Sequence, residues 1–190
     1  MTQEQLGGMI LPLAKPLIAR EWAMPSADTF SIPPIAAFIE RWKVDGSTID
    51  PFARNSTIAD ITNDLNPDTA AMYHMEAAEF ARDQWNMGVR VGRVLFDPPY
   101  SPRQISEVYA SIGRPATTED TQNARLYKAV RDALDCLLVP GGIALSFGWN
   151  SAGFGKKRGY EIEEILMVAH GGAHNDTICV AERKLKGLLI

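Results

Sequence analysis

Apolar positions along the chain recur with two periods, and their alternation sets the expected elements. In "SIPPIAAFIERWK" (31–43), Ile35, Phe38, Ile39 and Trp42 stand at i, i+3, i+4 and i+7. That stripe predicts a helix with its prolines in the first turn, where a missing N–H costs little. "STID" (47–50) reads as a short strand that ends in the loop chemistry of "PFARNS", and "ADITNDLNP" (59–67) as a second strand closed by Asn, Asp and Pro. Residues 68–85 are rich in helix formers, with "MYHM" as a brief strand the competing reading, and "VGRVLF" (91–96) is strongly strand-like. "RQISEVYASIG" predicts a helix closed by Gly113. A long helix follows over 117–142, with Leu126, Val130, Ala133, Leu134 and Leu137 on one face and Pro-Gly-Gly at its end.

Strands are then expected at 143–149, 161–170 and 176–184, the last two forming a hairpin through "GGAHN". "EIEEILMV" also fits a helix, but the strand after it favours the hairpin. Strands alternating with helices predict an α/β fold: a mostly parallel sheet with helices on both faces and an antiparallel C-terminal hairpin.

Composition narrows this picture. The 190 residues are 46% hydrophobic and 22% charged, which suits one globular domain over 1–190 with a sizeable core. Residues 1–27 are expected as an irregular extension packed on it, because "LGGMILPLAKPLIA" carries two prolines and a lysine. That stretch fits neither a signal peptide nor a membrane span. The formal charge of −4 excludes a nucleic-acid binder of the wholly electrostatic kind, so such a partner must meet a local basic patch. Cys136 and Cys179 sit in apolar runs and are expected as reduced core thiols of a cytoplasmic protein. "HGGAHNDTIC" (170–179) matches no zinc spacing, and no metal is expected.

The candidate chemistry lies at strand ends, where open α/β sheets bind their ligands. Asp50, Asp64 and Asp97 each follow a strand in a turn. A single such Asp is ordinarily a turn former that bonds its own backbone; three along one edge carry more. In "FDPPY", Pro98 and Pro99 fix their own φ, restrict the residue before them and lack an N–H. The Asp97 carboxylate and Pro98 carbonyl are thereby held as neighbouring acceptors beside the ring of Tyr100. Two acceptors and a flat ring suit an exocyclic amino group on a planar base.

This run, after the expected fourth strand, resembles the [DNS]-P-P-[YFW] motif of S-adenosylmethionine-dependent amino-methyltransferases. The resemblance is to the adenine-specific (N6) DNA methyltransferases, in particular their small, often phage-borne members, and covers roughly residues 28–184. It implies a Rossmann-like class I fold, S-adenosylmethionine as cofactor and double-stranded DNA as partner, with the target base flipped out. Catalysis would fall to Asp97, Pro98, Pro99 and Tyr100. "TFSIPPI" is similar to the segment touching the cofactor's methionine part, which nominates Thr29 and Phe30. "DPFARNS" resembles the motif DPFxGxG and nominates Asp50, Phe52, Ala53 and Asn55. Asp64 in "NDLNP" would bind the ribose hydroxyls, and Glu76 the cofactor's adenine, unless it is an ordinary helix-surface acid.

Two departures from the motif stand out. Arg54 and Ser56 occupy its glycine positions, which predicts a wider loop or a different cofactor pose. The short interval between Asp50 and Asp64 predicts that the helix usual between the first two strands is very short or absent. Arg103 and the run Lys156, Lys157, Arg158 are candidates for DNA phosphates, with a solvated loop as the plainer reading. Trp149 and Asn150 are candidates for the base pocket. No segment is long enough for a target-recognition domain, so specificity is expected to be short or relaxed, or supplied by a partner or second subunit. An RNA or protein methyltransferase, or a non-catalytic binding module of the same fold, are the alternatives. The expected setting is the cytoplasm of a bacterial cell, with a phage or prophage source.

Overall fold

A computed structural model describes residues 16–115, 123–172 and 174–185. Its centre is a seven-stranded sheet in the order β1-β6-β7-β5-β4-β2-β3. The strands are β1 (Leu17–Trp22), β2 (Thr48–Asp50), β3 (Ile61–Thr62), β4 (Val91–Phe96), β5 (Leu138–Gly148), β6 (Tyr160–Ala169) and β7 (Thr177–Lys184). β7 runs antiparallel to both β5 and β6, and every other neighbouring pair is parallel. The α/β class and the antiparallel C-terminal hairpin are as expected.

Each face of the sheet carries its own core. Helix α1 (Pro33–Arg41) lays Ile35, Phe38 and Ile39 against Leu95, Leu145 and Phe147. On the other face α2 (Ala77–Asn86) and α4 (Asn123–Leu137) pack Phe80, Val130, Leu134 and Leu137 against Val94 and Phe96. Successive β4 residues thus serve opposite cores, the period-two rule for a strand covered on both sides. Each of these buried side chains contributes about 1.5–3 kcal/mol relative to exposure. Helix α3 (Pro102–Ser111) follows β4 directly and opens on a capping box between Ser101 and Gln104.

Several expectations are corrected. Within the N-terminal extension, Leu17–Trp22 forms a regular strand parallel to β6, with Leu17 opposite Glu164 and Trp22 opposite Ala169. Its side chains are mostly exposed, so no burial alternation marked it; the open backbone edge of β6 orders it instead. Residues 1–15 lie outside the described residues. The helix expected from residue 68 starts only at Ala77, and Tyr73 makes a single parallel bridge to Asn63 instead. Hydrogen bonds from Tyr73 N to the Thr62 carbonyl and from Asp64 N to the Tyr73 carbonyl hold that stretch extended.

The second strand shrinks to Ile61–Thr62. The long helix ends at Leu137, and Pro140, Gly141 and Gly142 belong to β5, which shifts register there against β4. Its expected beginning at 117–122 lies outside the described residues. Cys179 is buried but Cys136 is exposed, on the side of α4 away from Val130, Leu134 and Leu137. Among the described residues, no helix is long and apolar enough to cross a membrane.

Candidate functional site

The chain leaves β4 at Phe96 and enters the turn Asp97–Tyr100, which one internal bond and two neighbours hold. The Tyr100 hydroxyl donates to Asp97 Oδ1 (2.7 Å). Gln104 Oε1 accepts from the backbone N–H of Tyr100 (2.8 Å) and of Ser101 (3.0 Å), tying the turn to α3. The Tyr127 hydroxyl, from α4, donates to the Pro99 carbonyl. Gly148 at the end of β5 makes room: a Cβ there would lie 2.7 Å from Tyr100 Cε1. Trp149 does not enter the core; it is 47% exposed, its ring 6.0 Å from that of Tyr100 and tilted by 34°.

Burial pushes the Asp97 carboxyl above the ordinary carboxylate range, while hydrogen bonds from Tyr100 and Thr29 and the charge of Arg54 pull it back. Burial, with the Asp97 charge beside it, keeps Tyr100 a phenol well above its usual pKa.

A second wall comes from the ends of β2 and β3, with no helix between them. These strands are too short for their own ladder to hold the connecting loops, and Asn63 does so. Its amide nitrogen donates to the Pro51 carbonyl (3.1 Å) and the Met75 carbonyl (3.0 Å), and its Oδ1 accepts from Met75 N (3.0 Å). Asp64 accepts from the backbone N–H of Arg54 (3.1 Å) and of Asn66 (2.9 Å).

Arg54 has a φ of +51°, the one positive φ among described non-glycine residues. The loop therefore keeps the left-handed shape a glycine would take there, although a side chain in that region costs about 1–2 kcal/mol.

Asp50 is fully buried beneath the loop. Its Oδ1 accepts from Phe52 N (2.9 Å), and its Oδ2 has no partner. Burial first, then the nearby Asp97 and Asp64 charges, raise its pKa to about 8 against a gain from the Phe52 N–H. Asp50 is therefore a neutral acid at pH 7, unlike an ordinary carboxylate.

The two walls enclose a cavity of about 500 Å³. Thr29, Phe52, Asp64, Glu76 and the whole Asp97–Tyr100 turn line it, brought together from five stretches of chain. Glu76 Oε1 accepts from the Tyr109 hydroxyl (3.0 Å) and lies 3.4 Å from the Arg114 guanidinium, so it is held rather than loose on the surface.

Other nominated residues do not reach the cavity. Phe30 is in the core, its ring 4.9 Å from that of Phe147. Ala53 is buried, with its N–H on the Asn63 carbonyl. Asn55 is exposed, and its Oδ1 accepts from Ala70 N (2.9 Å). Arg103, largely exposed, pairs along α3 with Glu107 (2.8 Å), and it is Glu107 rather than Arg103 that lines the cavity. Arg158 is tied to Asp132 (2.6 Å) and the Phe154 carbonyl (2.8 Å), whereas Lys156 and Lys157 are exposed.

Sequence reading missed Asn63, Tyr109, Tyr127 and Gly148. Asn63 stands inside "TNDLNP", where turn chemistry accounted for it locally; the other three act across the fold and left no local signal. Among the described residues, no cluster of His, Cys, Asp or Glu is placed to hold a metal.

No protein-family profile matches the chain, and no curated protein matches its sequence. Solved structures do match by shape. TrmN from Thermus thermophilus superposes with a TM-score of 0.52 at 17% identity, over 81% of this chain and 49% of that one. NSun6 from Pyrococcus horikoshii, solved with SFG, gives 0.51 at 17% identity, over 75% and 49%. The protein HI0767 from Haemophilus influenzae gives 0.50 at 11% identity, over 86% and 92%. The match thus spans about half the length of TrmN and NSun6. Identities this low establish a shared fold.

Proposed function

Proceeding from the Rossmann-like class I methyltransferase fold of this chain, we propose that it is an S-adenosylmethionine-dependent methyltransferase acting on the N6 amino group of adenine in DNA. The observation that carries the proposal is Asp97, oriented by the Tyr100 hydroxyl at the carboxyl end of β4 and facing a cavity lined by further acids. Asp64, Glu76 and Glu107 share that lining. That donor set fits a ligand bearing both an ammonium and a sulfonium. When bound, S-adenosylmethionine supplies a methyl group activated by positive sulfur.

In this reading Asp97 and the Pro98 carbonyl accept the two hydrogens of the amino group. They draw its lone pair out of ring conjugation and aim it at the methyl. The Tyr100 bond to Oδ1 fixes the carboxylate, and the prolines keep the acceptors from relaxing. The amino nitrogen becomes acidic only as the new N–C bond forms. Asp97, with its pKa raised by burial, then takes the released proton better than an ordinary carboxylate.

Asp64 and Glu76 would hold the ribose and adenine of the cofactor, and Thr29 and Phe52 would contact its methionine side. A duplex substrate must flip its adenine, at a cost of a few kcal/mol. Lys156 and Lys157, exposed beyond β5, and Arg103 would meet its phosphates.

The test is transfer of labelled methyl from S-adenosylmethionine to DNA, RNA and protein side by side, with Asp97→Ala in parallel. The expected result is label on adenine in DNA, reduced by about 1000-fold in the variant. Label appearing on RNA alone would move the substrate to the other nucleic acid. Label on DNA that survives Asp97→Ala would remove the site assignment.

A further inference from the structure

Arg54 is a side chain with an unusual backbone and an incomplete set of partners. Its N–H is bound to Asp64 Oδ2, which fixes the loop's orientation, and its φ of +51° lies in the region that favours glycine. The side chain lines the cavity and reaches towards the segment before Thr29. Among the described residues the guanidinium makes one hydrogen bond, to the Ala27 carbonyl (2.6 Å), and no ion pair. A guanidinium carries five N–H donors in a flat fork, a match for a carboxylate.

The charges around it are lopsided. Four acids line the cavity (Asp64, Glu76, Asp97 and Glu107), and Arg54 is the one cationic side chain lining it among the described residues. A ligand bearing two positive groups and one carboxylate leaves the acids nothing to do for its negative end. Resting on the cofactor assignment above, we infer that Arg54 is the receptor for the carboxylate of the cofactor's methionine part. Arginine stands at this left-handed position because its side chain supplies the anion contact that the acidic lining cannot. Glycine would adopt the same backbone without strain and without that contact.

Calorimetry on the whole chain separates this role from a merely conformational one. The ligands are S-adenosylhomocysteine, which keeps the carboxylate, and 5′-methylthioadenosine, which lacks the amino-acid end; the variant is Arg54→Gly. The expected result is a loss of about 10- to 100-fold in affinity for S-adenosylhomocysteine, with 5′-methylthioadenosine binding unchanged within twofold. A thermal midpoint at or above that of the unaltered protein is expected in the variant, since glycine relieves the backbone.

Equal affinity for S-adenosylhomocysteine in the two proteins would overturn the inference while leaving the cofactor reading in place. An equal loss for both ligands would also overturn it, because the loop's shape and not its charge would then be responsible. Failure of the unaltered protein to bind either ligand would remove the cofactor reading, and this inference with it.

Discussion

The two walls of the cavity are built by opposite means. The β4 wall rests on a six-residue strand buried on both faces, and its turn is stiffened by Pro98 and Pro99. Aromatic rings from distant elements support it. Phe52 and Tyr127 stand edge-on to Phe96, with centroids 5.7 and 6.1 Å away. The β2–β3 wall has strands of three and two residues and is held by buried polar side chains, chiefly Asn63 and Asp64. Packing on one side is forgiving of small changes. A buried polar network on the other fails when one member is lost, because its partners stay buried without bonds.

That contrast can be broken experimentally, beginning where the effect is largest. Asn63→Ala removes three hydrogen bonds and leaves backbone groups of Pro51 and Met75 unsatisfied. A loss of about 2–4 kcal/mol is expected, read by urea denaturation, together with weaker S-adenosylhomocysteine binding. A loss below 1 kcal/mol would show that the β2–β3 wall does not depend on this side chain.

The second test uses pH. Asp50 titrates at about 8 in the folded chain against a reference of 3.8, so the folded state binds its proton more tightly than the unfolded state. Its contribution is complete below pH 3.8 and falls as pH rises towards 8, by at most about 1.4 kcal/mol per unit. Stability of Asp50→Asn relative to the unaltered protein should therefore rise steadily from pH 5 to pH 8. A difference that stays flat across that range would remove the assignment of a neutral buried acid.

The smallest effect is expected on the β4 wall. Tyr127→Phe removes one hydroxyl from the Pro99 carbonyl and keeps the ring. A cost of about 1 kcal/mol and a several-fold fall in kcat are expected, with cofactor affinity unchanged. A loss as large as that of Asn63→Ala would erase the distinction between the walls.

Legibility in the sequence followed the same division. β4, the turn after it, and the β6–β7 hairpin could be read because their signals are local: a continuous apolar run, two prolines and a Gly-Gly turn. The stretch 68–76 misled because its helix-forming residues are overruled by Asn63 and by backbone bonds to Thr62 and Asp64. β1 went unread for the converse reason: most of its side chains are exposed, and the partner that makes it a strand lies more than a hundred residues away.

For the site, residue types and strand-end positions named Asp97, Tyr100 and Asp64, the family resemblance added Glu76 and Thr29, and the fold brings all five to one cavity. Residue types and spacing alone determined which acids and prolines stand at the ends of strands, since turn chemistry is written in neighbouring residues. Only the tertiary structure decided that Asp50 is buried beneath the cavity while Asp97 lies at its wall. It also decided that Tyr127 and Gly148 shape the turn from other elements, and that Arg54 takes the backbone of a glycine. Burial, long-range hydrogen bonds and φ depend on which segments pack together, and no short stretch of chain specifies that.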